Sequence, residues 1–356
     1  MIQIFHNVNI DWLGNRRKFI FVSVVLMLAG LISAVTRQAV PGGTDAFNLG
    51  VDFKGGTVVT VSFLKAQTPT AEAINAELNK QGIRDAIVQP VSGKPQFLIK
   101  LPQQGPASAP TEDTKAEVDT GRSKVRSALN AFGSEYDTND PNKGVYKIEG
   151  TDAVGPVAGQ QLRNQAIAVT LAALVGILIF ISFRFEWTYG AAAVIAVFHD
   201  VLVTLGIFSI MQWEISLTVI AALLTLVGFS VNDTIVVFDR IRENLKLHRR
   251  DSLYKVTNDS INQTLSRTVI TSGLVFLSVL AMVIFGGEVL RGFSLALLIG
   301  VAFGTYSSVA IASPIMVWWQ ERLDAAKKSI TPAREANSAG SRRPQRARTA
   351  GAAGNR

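Results

Sequence analysis

Six apolar stretches, each long enough to cross a lipid bilayer as a helix, constrain this chain more than anything else in it. They are Phe19–Val35, Ala166–Phe183, Tyr189–Met211, Ile215–Phe238, Thr268–Phe285 and Gly292–Trp318. A crossing takes roughly 20 residues at the helical rise. A long polar stretch, about Thr36 to Gln165, separates the first from the second, and the other five follow in quick succession. The expected fold is an α-helical polytopic membrane protein with six transmembrane helices. It carries an extracytoplasmic α+β ferredoxin-like domain between helices 1 and 2. The expected boundaries are a cytoplasmic segment at 1–18, the first span at 19–36, the extracytoplasmic domain at 37–165 and a five-helix membrane domain at 166–320. Spans in that last domain fall at 166–183, 189–211, 215–238, 268–285 and 292–318. A basic, disordered cytoplasmic tail, 321–356, follows.

Orientation comes from the basic residues. Arg16, Arg17 and Lys18 precede the first span; Arg240, Arg242, Lys246, Arg249, Arg250 and Lys255 follow the fourth; Arg322, Lys327 and Lys328 follow the sixth. Near the membrane on the other side stand only Arg37, Arg163 and Arg291. The positive-inside rule places both termini in the cytoplasm. The net charge of +8 is largely this topology signal plus the arginine-rich tail, so no nucleic acid is expected as a partner; the lipid bilayer is. There is no cysteine, which excludes disulfides and thiolate-bound metals. The three histidines, His6, His199 and His248, are too scattered for a zinc site, and neither a metal nor a cofactor is expected. The first span lacks a clean small-x-small cleavage site after Val35 and follows an ordered-looking preface, Ile2 to Trp12, so it reads as an uncleaved anchor.

The polar segment has a readable order. Thr57–Phe63 is β-branched and apolar, hence a strand. Pro69–Lys80 is a helix with proline at its start and Gly82 beyond its end. Strands at Asp85–Val91 and Gln96–Leu101 flank a turn at Ser92–Lys94; the Gln103–Pro110 loop leads to a helix from Glu112 to Phe132, and Gly144–Glu149 is a fourth strand. The order β-α-β-β-α-β is that of a split βαβ unit. Such a fold does not imply chemistry. The segment has no nucleophile–base pair or phosphate loop, so it reads as a docking or substrate-contact module rather than an enzyme. Before it stands Gly50-Val-Asp-Phe-Lys-Gly-Gly56. Its glycines reach backbone conformations closed to other residues. Gly50, Asp52, Phe53, Gly55 and Gly56 therefore form either a plain turn or a specific joint between membrane and domain.

Three spans carry polar residues that cost a few kcal/mol each at membrane depth and so point to a partner, a water-filled cavity or a proton path. The third holds His199 and Asp200 near its middle, and the fourth holds Ser230, Asn232, Asp233 and Thr234. In the fifth, Thr264, Arg267, Thr268 and Thr271 recur at spacings of three and four, which puts them on one helical face. Arg267 is then in reach of Asp233 on the neighbouring helix. A guanidinium keeps its proton, so it can hold the carboxylate ionised, and its withdrawal lets the carboxylate protonate. That is a proton relay; the alternative is a static ion pair that fixes helix packing. His199 is either a relay member or a hydrogen-bonded structural histidine. Gly300 and Gly304 form a small-xxx-small pair for close helix contact.

These same residues carry a resemblance. Gly50–Gly56, Phe198-His-Asp200, the stretch Ser230–Asn244 with its Asn-Asp-Thr, Gln263–Ser272 with its Ser-Arg-Thr, and Phe285-Gly-Gly287 with Gly292–Leu295 closely resemble the SecF family. These are the smaller membrane subunits of the bacterial SecDF complex, and the match runs from about Ile10 to Gln320. The resemblance implies six spans of the resistance–nodulation–division type in the bacterial inner membrane. It also implies a role in protein export, assisting the SecYEG channel and SecA with preprotein clients by drawing on the proton-motive force. In that family the aspartate of Asn-Asp-Thr and the arginine of the next span are tied to proton conduction; here these are Asp233 and Arg267. With one membrane half in this chain, a pseudo-symmetric partner, SecD, is implied. The face bearing Asp200, Asp233 and Arg267 is expected to meet it. Two other readings are a small-molecule or lipid exporter of the same superfamily and an assembly scaffold without ion flux. Export of precursor proteins separates the first from the exporter, and proton flux separates it from the scaffold.

Overall fold

The computed structural model describes residues 9–40, 45–64, 68–83, 86–91, 93–102, 114–136 and 144–339. The Gln103–Pro110 loop, most of the Ile2–Trp12 preface and the tail beyond residue 339 lie outside them.

Among the described residues, six helices are long and apolar enough to cross a membrane. The first is α1, Arg16–Ala39. After a one-turn helix α2, Val51–Lys54, and the extracytoplasmic domain come α5 (Pro156–Arg184), α6 (Trp187–Met211), α7 (Leu217–Leu247) and α8 (Leu253–Phe285). The sixth crossing is compound: α9 (Gly287–Ser307), a π-helical turn at Ser308–Ala312, and α10 (Ser313–Ala339). Several helices outrun their apolar blocks. Gly155 caps α5 with Pro156 just inside it, and the polar turns carrying Gln160, Gln161, Arg163 and Asn164 begin the helix ten residues ahead of 166. Ser252 caps α8 by accepting from Lys255 N, so the helix starts at Leu253, fifteen residues before the expected start at 268. The expected disorder from residue 321 needs correction too, because α10 continues to Ala339. Its Ala, Glu, Lys and Arg content favours helix over coil.

The domain between α1 and α5 contains β1 (Gly56–Phe63), α3 (Ala71–Lys80), β2 (Ile87–Pro90), β3 (Gln96–Pro102), α4 (Thr114–Leu129) and β4 (Tyr146–Val154). The strands form one sheet in the order β2-β3-β1-β4 with every pairing antiparallel, the ferredoxin-like arrangement that the sequence predicts. Strand alternation buries Val59, Val61, Phe63, Phe97, Ile99 and Leu101 against Ile74 and Leu78 of α3 and Val125 and Leu129 of α4. The opposite face of the sheet, with Val58, Leu98 and Lys100, turns toward the membrane domain.

The membrane domain has two apolar cores. One gathers Tyr189, Val197, Phe238, Ile261 and Met316; the other gathers Phe208, Val219, Leu226, Ala296 and Phe53 of α2. Helices α6 and α7 feed both, and α9 packs against α6, α7 and α8. The close fit of α9 on α7 is made by glycine: a Cβ on Gly300 would meet Leu226 at 2.6 Å, and one on Gly304 would meet Ser230 at 3.2 Å. Outer helices α1, α5 and α8 leave most of their apolar surface uncovered, as lipid-facing helices do.

Candidate functional site

Both buried aspartates sit within the helix bundle, each held by hydroxyls. Asp200 of α6 is 0% exposed. Its Oδ2 accepts from Ser230 Oγ of α7 at 2.6 Å and from Ser307 Oγ of α9 at 2.7 Å. Its Oδ1 lies 3.0 Å from His199 Nδ1. With the proton on Nδ1, His199 donates to Asp200. Its other ring nitrogen, Nε2, is buried without a hydrogen-bond partner among the described residues. Asp233 of α7 is 3% exposed. Its Oδ2 accepts from Ser272 Oγ of α8 at 2.6 Å and faces Thr305 Oγ1 of α9 at 3.5 Å.

Helical phase explains the set. On α7, Ser230, Asp233, Thr234 and Val237 lie on the buried face, while Asn232 points outward. On α8 the buried row is Thr264, Thr268 and Ser272, at a spacing of four. Arg267 and Thr271 stand beside that row on the exposed face. The expected single face of Thr264, Arg267, Thr268 and Thr271 is therefore split in two. Arg267 makes no ion pair with Asp233 among the described residues, and acts on it only as a through-space positive charge. The expected relay set divides likewise: His199, Asp200 and Asp233 are sealed inside, and Asn232 and Arg267 look out. Among the described residues, Asp200 and Asp233 face α9, whereas Arg267 lies on the exposed side of α8. Ser272, Thr305 and Ser307 were the unforeseen members. Only Ser272 had a visible signal, as the next position in the Thr264, Thr268 series.

The glycine-rich segment makes defined contacts with the membrane helices. Gly55 has φ +80° and Gly56 φ +143°, and a Cβ on Gly56 would lie 2.3 Å from Leu101 O. Glycine is required at both positions. Between Gly50 and Gly55 the chain makes one helical turn and is stitched to the α6–α7 connection. Gly50 N donates to Ile215 O at 2.9 Å, Ile215 N donates to Asn48 O at 2.7 Å, and Leu217 N at the start of α7 donates to Asp52 Oδ2 at 2.9 Å. Phe53 inserts between Phe208, Ile215 and Val219. Lys100 of β3 completes the contact with a 2.5 Å ion pair to Glu214, both side chains 15% exposed.

Comparison with known proteins identifies the family. The family described as "Protein export membrane protein SecD/SecF, C-terminal" matches residues 136–322, and the "SecD/SecF GG Motif" matches 43–63, which includes the joint. A protein translocase subunit SecF from Koribacter versatilis is 42% identical over 90% of this chain and 94% of its own length. One from Rhodothermus marinus is 40% identical over 93% and 99%. This chain belongs to the SecF family. The crystal structure of SecDF from Thermus, described as a translocon-associated membrane protein, superposes with a TM-score of 0.71 at 34% identity. The superposition covers 88% of this chain and 39% of that one, so a SecF-family chain spans about two fifths of that SecDF protein. The super-membrane-facing form of SecDF gives a TM-score of 0.62. The chain is a multi-pass membrane protein of the Sec pathway.

Proposed function

We propose that this SecF-family chain assists preprotein export through the SecYEG channel, together with SecD and SecA. In this reading it couples the proton-motive force to the late stage of translocation, in the bacterial inner membrane with both termini cytoplasmic. The observation that carries the reading is the pair of buried carboxylates inside the bundle. A carboxylate at membrane depth costs a few kcal/mol that packing alone does not return. Hydroxyl partners suit a group that changes protonation, because a hydroxyl donates to the anion and accepts from the acid. An arginine in contact would hold the anion, whereas Arg267 at a distance leaves its influence adjustable by movement. Asn232 and Arg267, polar and outward-facing on α7 and α8, support a second subunit against that side. Transporters built from two related halves commonly place their ion sites where the halves meet.

The test is Asp233→Asn in proteoliposomes containing SecD. The substitution keeps the volume and the acceptor for Ser272 while losing the titration. Insertion and assembly are expected to be normal, and proton flux and proton-motive-force-dependent export are expected to vanish. Export at the wild-type rate would make Asp233 structural and end the coupling reading.

A further inference from the structure

A single turn of α9 touches both carboxylate sites. Gly304 rests on Ser230, Thr305 faces Asp233, and Ser307 faces Asp200. Each of the two hydroxyls has one hydrogen and two acceptors to choose between. Ser307 Oγ is 2.7 Å from Asp200 Oδ2 and 3.2 Å from Gly304 O. Thr305 Oγ1 is 2.9 Å from Val301 O and 3.5 Å from Asp233 Oδ2. The shorter contact takes the hydrogen in each case. Ser307 is therefore engaged with its carboxylate, and Thr305 with its own helix. Ser230 and Ser272 differ: each donates to its aspartate at 2.6 Å and is the steady partner there. Each carboxylate thus has one steady donor from α7 or α8 and one alternative donor from the same turn of α9.

The helix is built to let that turn shift. Immediately after Ser307 it widens into the π turn Ser308–Ala312. Ser308 Oγ donates to Thr305 O at 2.9 Å, and Ser313 Oγ donates to Ser308 O at 2.9 Å, which satisfies carbonyls near the irregularity. A π turn holds one residue more than an α turn, and such insertions are frequent at functional sites. When the extra residue moves along the helix, the adjoining turn rotates. The charged groups that bear on the pair are His199, beside Asp200, and Arg267, acting through space on Asp233. No other charged side chain contacts either carboxylate among the described residues.

We propose that Thr305 and Ser307 are positioning residues that tie Asp200 and Asp233 into one two-site unit, the turn Gly304–Ser307 reseating so that α9 donates to one carboxylate at the expense of the other. The proposal deepens the proton-coupling reading, but its test needs no flux. Full-length protein with SecD in proteoliposomes, at fixed pH without a gradient, is treated with a hydrophobic carbodiimide, which attacks protonated carboxyls. Labelling at Asp200 and Asp233 is then counted separately by peptide mass spectrometry. Ser307→Ala should raise labelling at Asp200 about tenfold, the effect of losing one hydroxyl donor to an anion. It should lower labelling at Asp233, because the freed turn now serves Thr305. Thr305→Val should shift the two labels in the opposite directions but by less, because Thr305 donates mainly to Val301 O, and Ser307→Thr and Thr305→Ser should restore the wild-type ratio. Changes confined to the carboxylate touched, changes of the same sign at both, or no change at all would each overturn the proposal. Wild-type export by Asp233→Asn would sink the transport reading and leave this result standing.

Discussion

Asp52 offers a measurable link between the extracytoplasmic domain and the membrane helices. Its Oδ2 accepts from Leu217 N, the first amide of the 31-residue helix α7, at 2.9 Å. The helix's own N-cap residue, Ser216, makes no side-chain cap bond, so the joint supplies the cap. Removing a side-chain cap costs about 1 kcal/mol, and removing a negative charge from a helix N-terminus adds about 0.5 kcal/mol at an exposed site. Asp52→Ala should thus weaken the first turn of α7 by about 1.5 kcal/mol, roughly tenfold in local opening. Asp52→Asn keeps the acceptor and loses the charge, so about twofold is expected. Hydrogen exchange of a peptide covering residues 213–222 reads this directly, with the β1 amides as an internal control. Phe53→Ala is the stronger perturbation: losing a buried aromatic costs about 3–5 kcal/mol, and should also expose Ile215 and Val219. If Asp52→Ala left exchange in the first turn of α7 unchanged, the bond would carry no load and the joint would be a passive turn.

Arg267→Lys keeps the charge and loses the planar fork, so with no direct contact to Asp233 it should retain most proton flux in liposomes with SecD, while Arg267→Ala should lose it; equal loss in both would show that a guanidinium-specific contact forms in another state. Cysteines placed at Thr225 and Asn232, on the outward face of α7, should crosslink to SecD, whereas one at Ser230 should not; products containing only a second copy of this chain would exclude that face as the meeting surface. Tyr146, buried in the domain core, has its phenol pushed up to about 12, first by desolvation and then by Glu135, with Arg126 opposing. A raised folded-state value means that this stability is complete below about pH 10 and is lost as pH rises toward 12. Tyr146→Phe should flatten that alkaline loss, and should cost about 1 kcal/mol near neutrality for the bonds to Asn130 Oδ1 and Arg126 O. Hydrogen exchange of β1 against pH is the readout.

The apolar blocks and the β-α-β-β-α-β order were legible because each is a local pattern with its own period. Helix ends were not, since a hydropathy window stops at the last apolar turn while a cap such as Ser252 lets the helix continue into water. The carboxylate sites were half legible. Asp200 and Asp233 stood out by cost alone, but their partners Ser230, Ser272 and Ser307 lie 30, 39 and 107 residues away. Spacing could not decide which side of α8 faces inward. Arg267 and Thr268 are neighbours in sequence and about 100° apart around the axis, and that one step separates an exposed cation from a buried hydroxyl.

The segment ahead of α1 has a consequence for how the chain is made. Trp12 N donates to Asn258 Oδ1 across 246 residues of sequence, Trp12 Nε1 donates to Asn262 Oδ1, and both asparagines donate back to Ile10 O. These bonds fasten the segment ahead of α1 to the first turns of α8, while farther along α1 Gly30 packs directly on Gly206 of α6. At a synthesis rate of about 5–20 residues per second, the ribosome needs roughly 12–50 s after making Trp12 to deliver Asn258. Once α1 has been made and inserted, it waits for the rest of that interval with this fastening absent. The N-terminal segment is a closing clasp, set only when the fifth span has emerged, and a chain cut short before α8 leaves it open.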